Sequence, residues 1–82
     1  MEFTVRNLSV LAYAQGFTLW HYRAPNARLA VLDQPGFFNK AADMLAQGDM
    51  LMMSGSDGGR VAFVASTQNS ATQNSVTLAA LA

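Results

Sequence analysis

Short blocks of apolar residues recur along the chain, and turn-forming residues separate them. Over residues 16–23, Phe17, Leu19 and His21 fall on one face of an extended segment, and Thr18, Trp20 and Tyr22 on the other. Both faces are substantially apolar, as in a strand covered on two sides. Ala24-Pro25-Asn26 marks a turn, and residues 28–33 predict a further strand, with Leu29 and Val31 opposite Ala30 and Leu32. After the turn Asp33-Gln34-Pro35-Gly36, residues 40–47 predict the clearest helix. Asn39 is its candidate N-cap, Ala41, Met44 and Leu45 form one apolar face, and Gly48 suits the position just past its end. Residues 49–54 and 60–66 predict a hairpin around the turn-rich Ser54-Gly55-Ser56-Asp57-Gly58-Gly59.

The two ends are read differently. Residues 3–15 fit a strand period through Phe3 and Val5 and a helix period through Val5, Leu8, Leu11 and Ala12. The strand-preferring Thr4, Val5, Val10 and Tyr13 favour a strand. The tetrapeptide Thr-Gln-Asn-Ser occurs at 67–70 and again at 72–75, and residues 67–75 are expected to form a polar loop. Val76 and Leu78 predict a last strand over 75–80, within a C-terminal strand or tail at 76–82. The tally is a mainly β fold in a single domain, 1–82: a small antiparallel barrel or sandwich of about five strands with one short helix at 40–47.

That tally raises a question of cover. A chain of 82 residues buries only about 60–65% of its unfolded surface, and domains this small usually add disulfides, metals or partners. There is no cysteine and only one histidine, so disulfides and thiolate metal sites are excluded and no cofactor is expected. A partner is the remaining support. Charged residues are 12% of the chain, about half the usual share, and the formal net charge is zero, which favours association. Thr18, Trp20 and Tyr22 are therefore the expected interface residues, because one face of the 16–23 strand has no chain left to cover it. Met50 shares a strand face with Met52, and Leu51 with Met53; Leu51 and Met53 are expected to join that interface.

Chemistry is sparse. Arg6, Arg23, Arg28, Lys40 and Arg60 are scattered and matched by Glu2, Asp33, Asp43, Asp49 and Asp57, so no basic stripe is available for nucleic acid. The apolar run Val61 to Ala65 falls far short of the roughly 18–20 residues of a membrane span. Glu2 precedes no basic and apolar leader, so no signal peptide is expected, and synthesis in a cytoplasm is. His21 lies in no nucleophile motif, Asp49 and Asp57 sit at turn positions beside glycine, and the 54–59 glycines lack the lysine of a phosphate loop. No enzyme is expected.

Two stretches together carry a resemblance. Tyr13, Ala14, Gly16, Phe17, Thr18, Trp20 and Tyr22, followed by Gly36, Phe37, Phe38, Gly48 and Asp49, resemble the pattern of a family of small proteins encoded in phage and prophage virion-gene clusters. The resemblance covers roughly residues 8 to 65 and leaves 67–82 outside. It implies a virion structural component, one that decorates or cements a capsid or belongs to a fibre, made in the host bacterial cytoplasm. Its implied partners are the major capsid protein, other virion proteins or further copies of itself. The residues alone leave a second reading open: a small β binding module holding a peptide or sugar through Trp20, His21 and Tyr22, on an exposed Trp–Tyr face.

Overall fold

Phe17-to-Arg23 is extended, as its alternation predicts, and it lies inside a five-stranded sheet. A computed structural model describes residues 2–70 and 74–80. Its strands are β1 (Leu8–Ala14), β2 (Phe17–Arg23), β3 (Met50–Gly55), β4 (Gly58–Asn69) and β5 (Asn74–Ala80), in spatial order β1-β2-β3-β4-β5. The fold is mainly β, with one α-helical turn among the described residues, α1 (Leu29–Leu32), and 3-10 turns at Val5–Asn7, ahead of β1 where the sequence favours a strand, and at Asn39–Ala41. The sheet is mixed and open. β2 and β3 pair in parallel and the other three neighbours are antiparallel, so neither a barrel nor an all-antiparallel sheet forms.

The hairpins follow local chemistry. β1 and β2 are joined by Gln15 and Gly16, both at positive φ (45° and 83°), the backbone of the tight turn whose twist matches its flanking strands. Ser56 and Asp57 form the β3–β4 turn between paired Gly55 and Gly58. The parallel β2–β3 pair requires a crossover, and residues 24–49 supply it across one face of the sheet.

Three local expectations change within or after that crossover. Residues 28–33 are not a strand. Leu29 N donates to Asp57 Oδ1 at 2.9 Å and Arg60 pairs with Asp33, so the β3–β4 hairpin holds both ends of a helical turn. Residues 40–47 are not a regular α-helix. Asn39–Ala41 form a 3-10 turn, further turns follow to Met44, and Gly48 closes the segment at φ 94°. Asn39 caps nothing there; its Oδ1 instead accepts Val76 N of β5 at 3.0 Å. The polar stretch at 67–75 is largely strand, since β4 runs to Asn69 and β5 starts at Asn74. Residues 71–73 of that stretch, and 81–82 of the tail, lie outside the described residues.

The core lies between the sheet and the crossover. Tyr22, Leu51, Met53, Ala62 and Val64 point up from the sheet, and Leu32, Phe38, Ala41 and Leu45 point down from the crossover. Phe3 joins from the N-terminal arm, stacked on Tyr22 at 5.2 Å, and Phe37 and Phe38 close edge-on around the same ring.

Candidate functional site

Each strand of the sheet presents alternate residues to opposite sides, and the crossover covers only one side. Trp20 pairs with Leu51 and Tyr22 with Met53 across β2 and β3, so these four share the covered side. Tyr22, Leu51 and Met53 are buried at 1% exposure or less, and Trp20 is 8% exposed. The expected interface of Thr18, Trp20, Tyr22, Leu51 and Met53 is thereby corrected: four of the five belong to this chain's own core. Thr18, half-buried, donates its backbone N–H to Asp49. The error was one of side. The crossover chose the Trp20 face because both of that face's large rings have polar atoms that it, or the arm, can satisfy.

Asp49 does most of this for Trp20. It is a carboxylate 2% exposed, and it accepts three hydrogen bonds: from Trp20 Nε1 at 3.0 Å, Thr18 N at 3.2 Å and Ala46 N at 3.1 Å. A buried charge needs such partners to offset lost hydration. Its backbone is engaged as well, with Asp49 N donating to Ala46 O and Val64 N to Asp49 O. Sequence reasoning placed Asp49 in a turn and missed this role, although the sole tryptophan and a Gly-Asp opening a strand are the visible halves of the contact. Tyr22 is satisfied from the other direction, its hydroxyl accepting Thr4 N at 3.0 Å.

The opposite side of the sheet has no covering layer among the described residues. Leu19, Met50 and Phe63 form one row across β2, β3 and β4, and His21, Met52 and Val61 form the next. Phe17 extends this face at one end of β2, and Ala79 of β5 lies beside Phe63. Met52 is 38% exposed, and the other side chains of these rows, with Phe17 and Ala79, are half-buried. By register, Arg23 at the end of β2 is the one charged strand residue on this face among the described residues, and Arg6 lines a hollow beside it with Ser9 and His21. His21 Nε2 lies 2.8 Å from Ser54 Oγ at the same rim. No carboxylate joins that pair among the described hydrogen bonds.

A second apolar surface lies along β1, one edge of the sheet. Val10, Leu11 and Tyr13 are 55%, 52% and 69% exposed, and a bulge between Val10 and Ala12 turns Leu11 out of register. Of the residues that carry the resemblance, Trp20, Tyr22, Phe38 and Asp49 build the core; Tyr13 is exposed and Phe17 half-exposed. A cleft of about 360 Å³ also runs between the crossover and β5, with Leu32, Phe37 and Phe38 on one wall and Val76 and Leu78 on the other. Among the described residues, no three histidine or acidic side chains gather to hold a metal ion. No helix there is long and apolar enough to cross a membrane. Comparisons with protein-family models, curated proteins and solved structures found no match.

Proposed function

We propose that this chain is a non-enzymatic structural protein of a bacteriophage virion, which decorates or cements a capsid through apolar subunit contacts. The observation that carries the reading is the sheet face of Leu19, Met50, Met52, Val61 and Phe63, a contiguous apolar surface with no covering layer among the described residues. Contiguous exposed apolar surface on a small protein marks an interaction site. Exposed Val10, Leu11 and Tyr13 on β1 add a second contact surface, in a chain with zero formal charge and hence little long-range repulsion. The resemblance to virion proteins supplies the kind of assembly, with the major capsid protein as partner and the virion as the site of action. The alternative of a peptide or sugar held through Trp20, His21 and Tyr22 is withdrawn, because both large rings are in the core and His21 faces the other side of the sheet.

Co-sedimentation of the purified chain with capsids of the encoding phage, stripped of accessory proteins, tests the reading. The chain should pellet with capsids, and Tyr13→Ala with Leu11→Ala should weaken pelleting by about 2 kcal/mol, the scale of an interface anchor. Absence of the chain from the pellet at capsid saturation would remove the proposal.

A further inference from the structure

We infer that the uncovered sheet face binds a second copy of this chain, giving a twofold dimer in which two sheets pack face to face. The inference rests on the proposed assembly role and names the occupant of one of its surfaces. Four observations select a second copy.

The first is charge. Apart from Arg23 and Arg6, which sit together at one rim beside His21, no described side chain on the face is charged and able to recognise an acidic or basic partner. An identical face matches it without any charge conflict.

The second is polar satisfaction. His21 is already engaged by Ser54, and no buried side-chain nitrogen or oxygen lacks a partner among the described residues. Covering this part of the face therefore leaves the imidazole with a partner, while Ser9, Ser66 and Thr77 lie toward the outer strands.

The third is area. Five strands about 4.8 Å apart, with about seven residues each rising about 3.3 Å, give a footprint of about 550 Å². That is about a tenth of the chain's 5121 Å² accessible surface, the share a specific interface covers on a small protein. Two such faces together reach about 1,100 Å², above the roughly 1,000 Å² a biological interface should clear and in the range of weak, reversible contacts.

The fourth is symmetry. β3 is the middle strand of five, and the face is arranged around it. A twofold axis running between the sheets and parallel to β3 lays β3 on β3, and β2 of each copy on β4 of the other. Leu19 then meets Phe63 of the second copy, Phe63 meets Leu19, and Met50 meets Met50, since these three share one row. The contact is isologous. Stacked sheets lie about 10 Å apart with side chains from both filling the gap, and methionines at the axis interdigitate readily. The dimer leaves the β1 edge, with Tyr13 and Leu11, at its periphery and free for a virion partner.

Sedimentation of the full chain from about 1 µM to 1 mM tests the inference, and it is expected to show a monomer–dimer equilibrium. Met52→Glu and, as a second variant, Val61→Glu should each raise the dissociation constant at least tenfold. Tyr13→Glu should leave it within about twofold. Each variant is checked for an unchanged far-ultraviolet circular dichroism spectrum and Trp20 emission. A wild-type monomer throughout, or a dimer indifferent to both face variants or dissolved by Tyr13→Glu, overturns the inference. Capsid pelleting separates this from the functional proposal. A wild-type monomer that still pellets with capsids sinks only the dimer, and a face-dependent dimer that ignores capsids upholds the dimer and sinks the virion role.

Discussion

Replacing Asp49 by alanine removes three acceptor contacts in one step. Trp20 Nε1 loses a partner 3.0 Å away, inside a side chain only 8% exposed, where water has little access. A buried donor left unpaired costs about 1–3 kcal/mol. Thr18 N and Ala46 N, at 3.2 and 3.1 Å, are part-buried, so water replaces the carboxylate and each loss costs about 0.5–1 kcal/mol. Asp49→Ala should therefore destabilise by about 3 kcal/mol, against a total stability of about 4–12 kcal/mol for a chain of this length. Asp49→Asn separates hydrogen bonding from the rest. Its amide oxygen, turned toward Trp20 and Ala46, keeps both of those bonds and abandons Thr18 N, for a cost of about 1 kcal/mol. Urea denaturation at neutral pH gives both values, followed by far-ultraviolet circular dichroism because Trp20 emission itself changes with its partner. Alanine and asparagine variants within about 0.5 kcal/mol of each other would refute the account, since it assigns most of the loss to the Trp20 and Ala46 donors.

Trp20→Ala should cost the fold about 3–5 kcal/mol and Phe17→Ala only about 1 kcal/mol, because one is a core ring and the other is half-exposed; thermal unfolding of the monomer checks the order. Asn39→Ala should cost about 1 kcal/mol and speed hydrogen exchange at the Val76 amide, whose acceptor it removes, with exchange unchanged in β1. Gly55→Ala would place a methyl 2.7 Å from Ala27 O, beside the backbone that pins α1, and should destabilise by about 1–3 kcal/mol; a neutral denaturation midpoint would show that the crossover yields at that point.

The β content of this chain was legible because its signals are local. Alternation places Phe17–Arg23 in a strand, Ser-Asp-Gly-Gly marks the β3–β4 hairpin, and Met50 to Met53 with Arg60 to Ser66 pair as the pattern predicts. The uncovered face was legible too, as an excess of apolar surface on a strand with too little chain to hide it. Which face stayed uncovered was not. Both sides of β2 carry large apolar residues, and periodicity assigns partners to neither.

The same limit explains the segments that changed. Leu29 to Leu32 is a four-residue apolar run, short enough to be strand or helix. Asp57 and Arg60, about thirty residues away in sequence, decide for helix by holding its two ends. Asn39 has the chemistry of a helix cap, yet its oxygen goes to Val76, because β5 lies within reach across the crossover. The Thr-Gln-Asn-Ser copies have loop composition, but β4 and β5 pair through Asn69 and Asn74, where ladder hydrogen bonds outweigh weak local preference. The sequence by itself thus determined a small, mainly β, weakly charged chain with apolar surface to spare. Only the tertiary structure decided that β2 and β3 run parallel, that Asp49 draws Trp20 inward, and that the spare surface is the face of Leu19, Met52 and Phe63. Parallel pairing, buried carboxylates and choice of face all depend on residues far apart in sequence, and such contacts leave no local period to read.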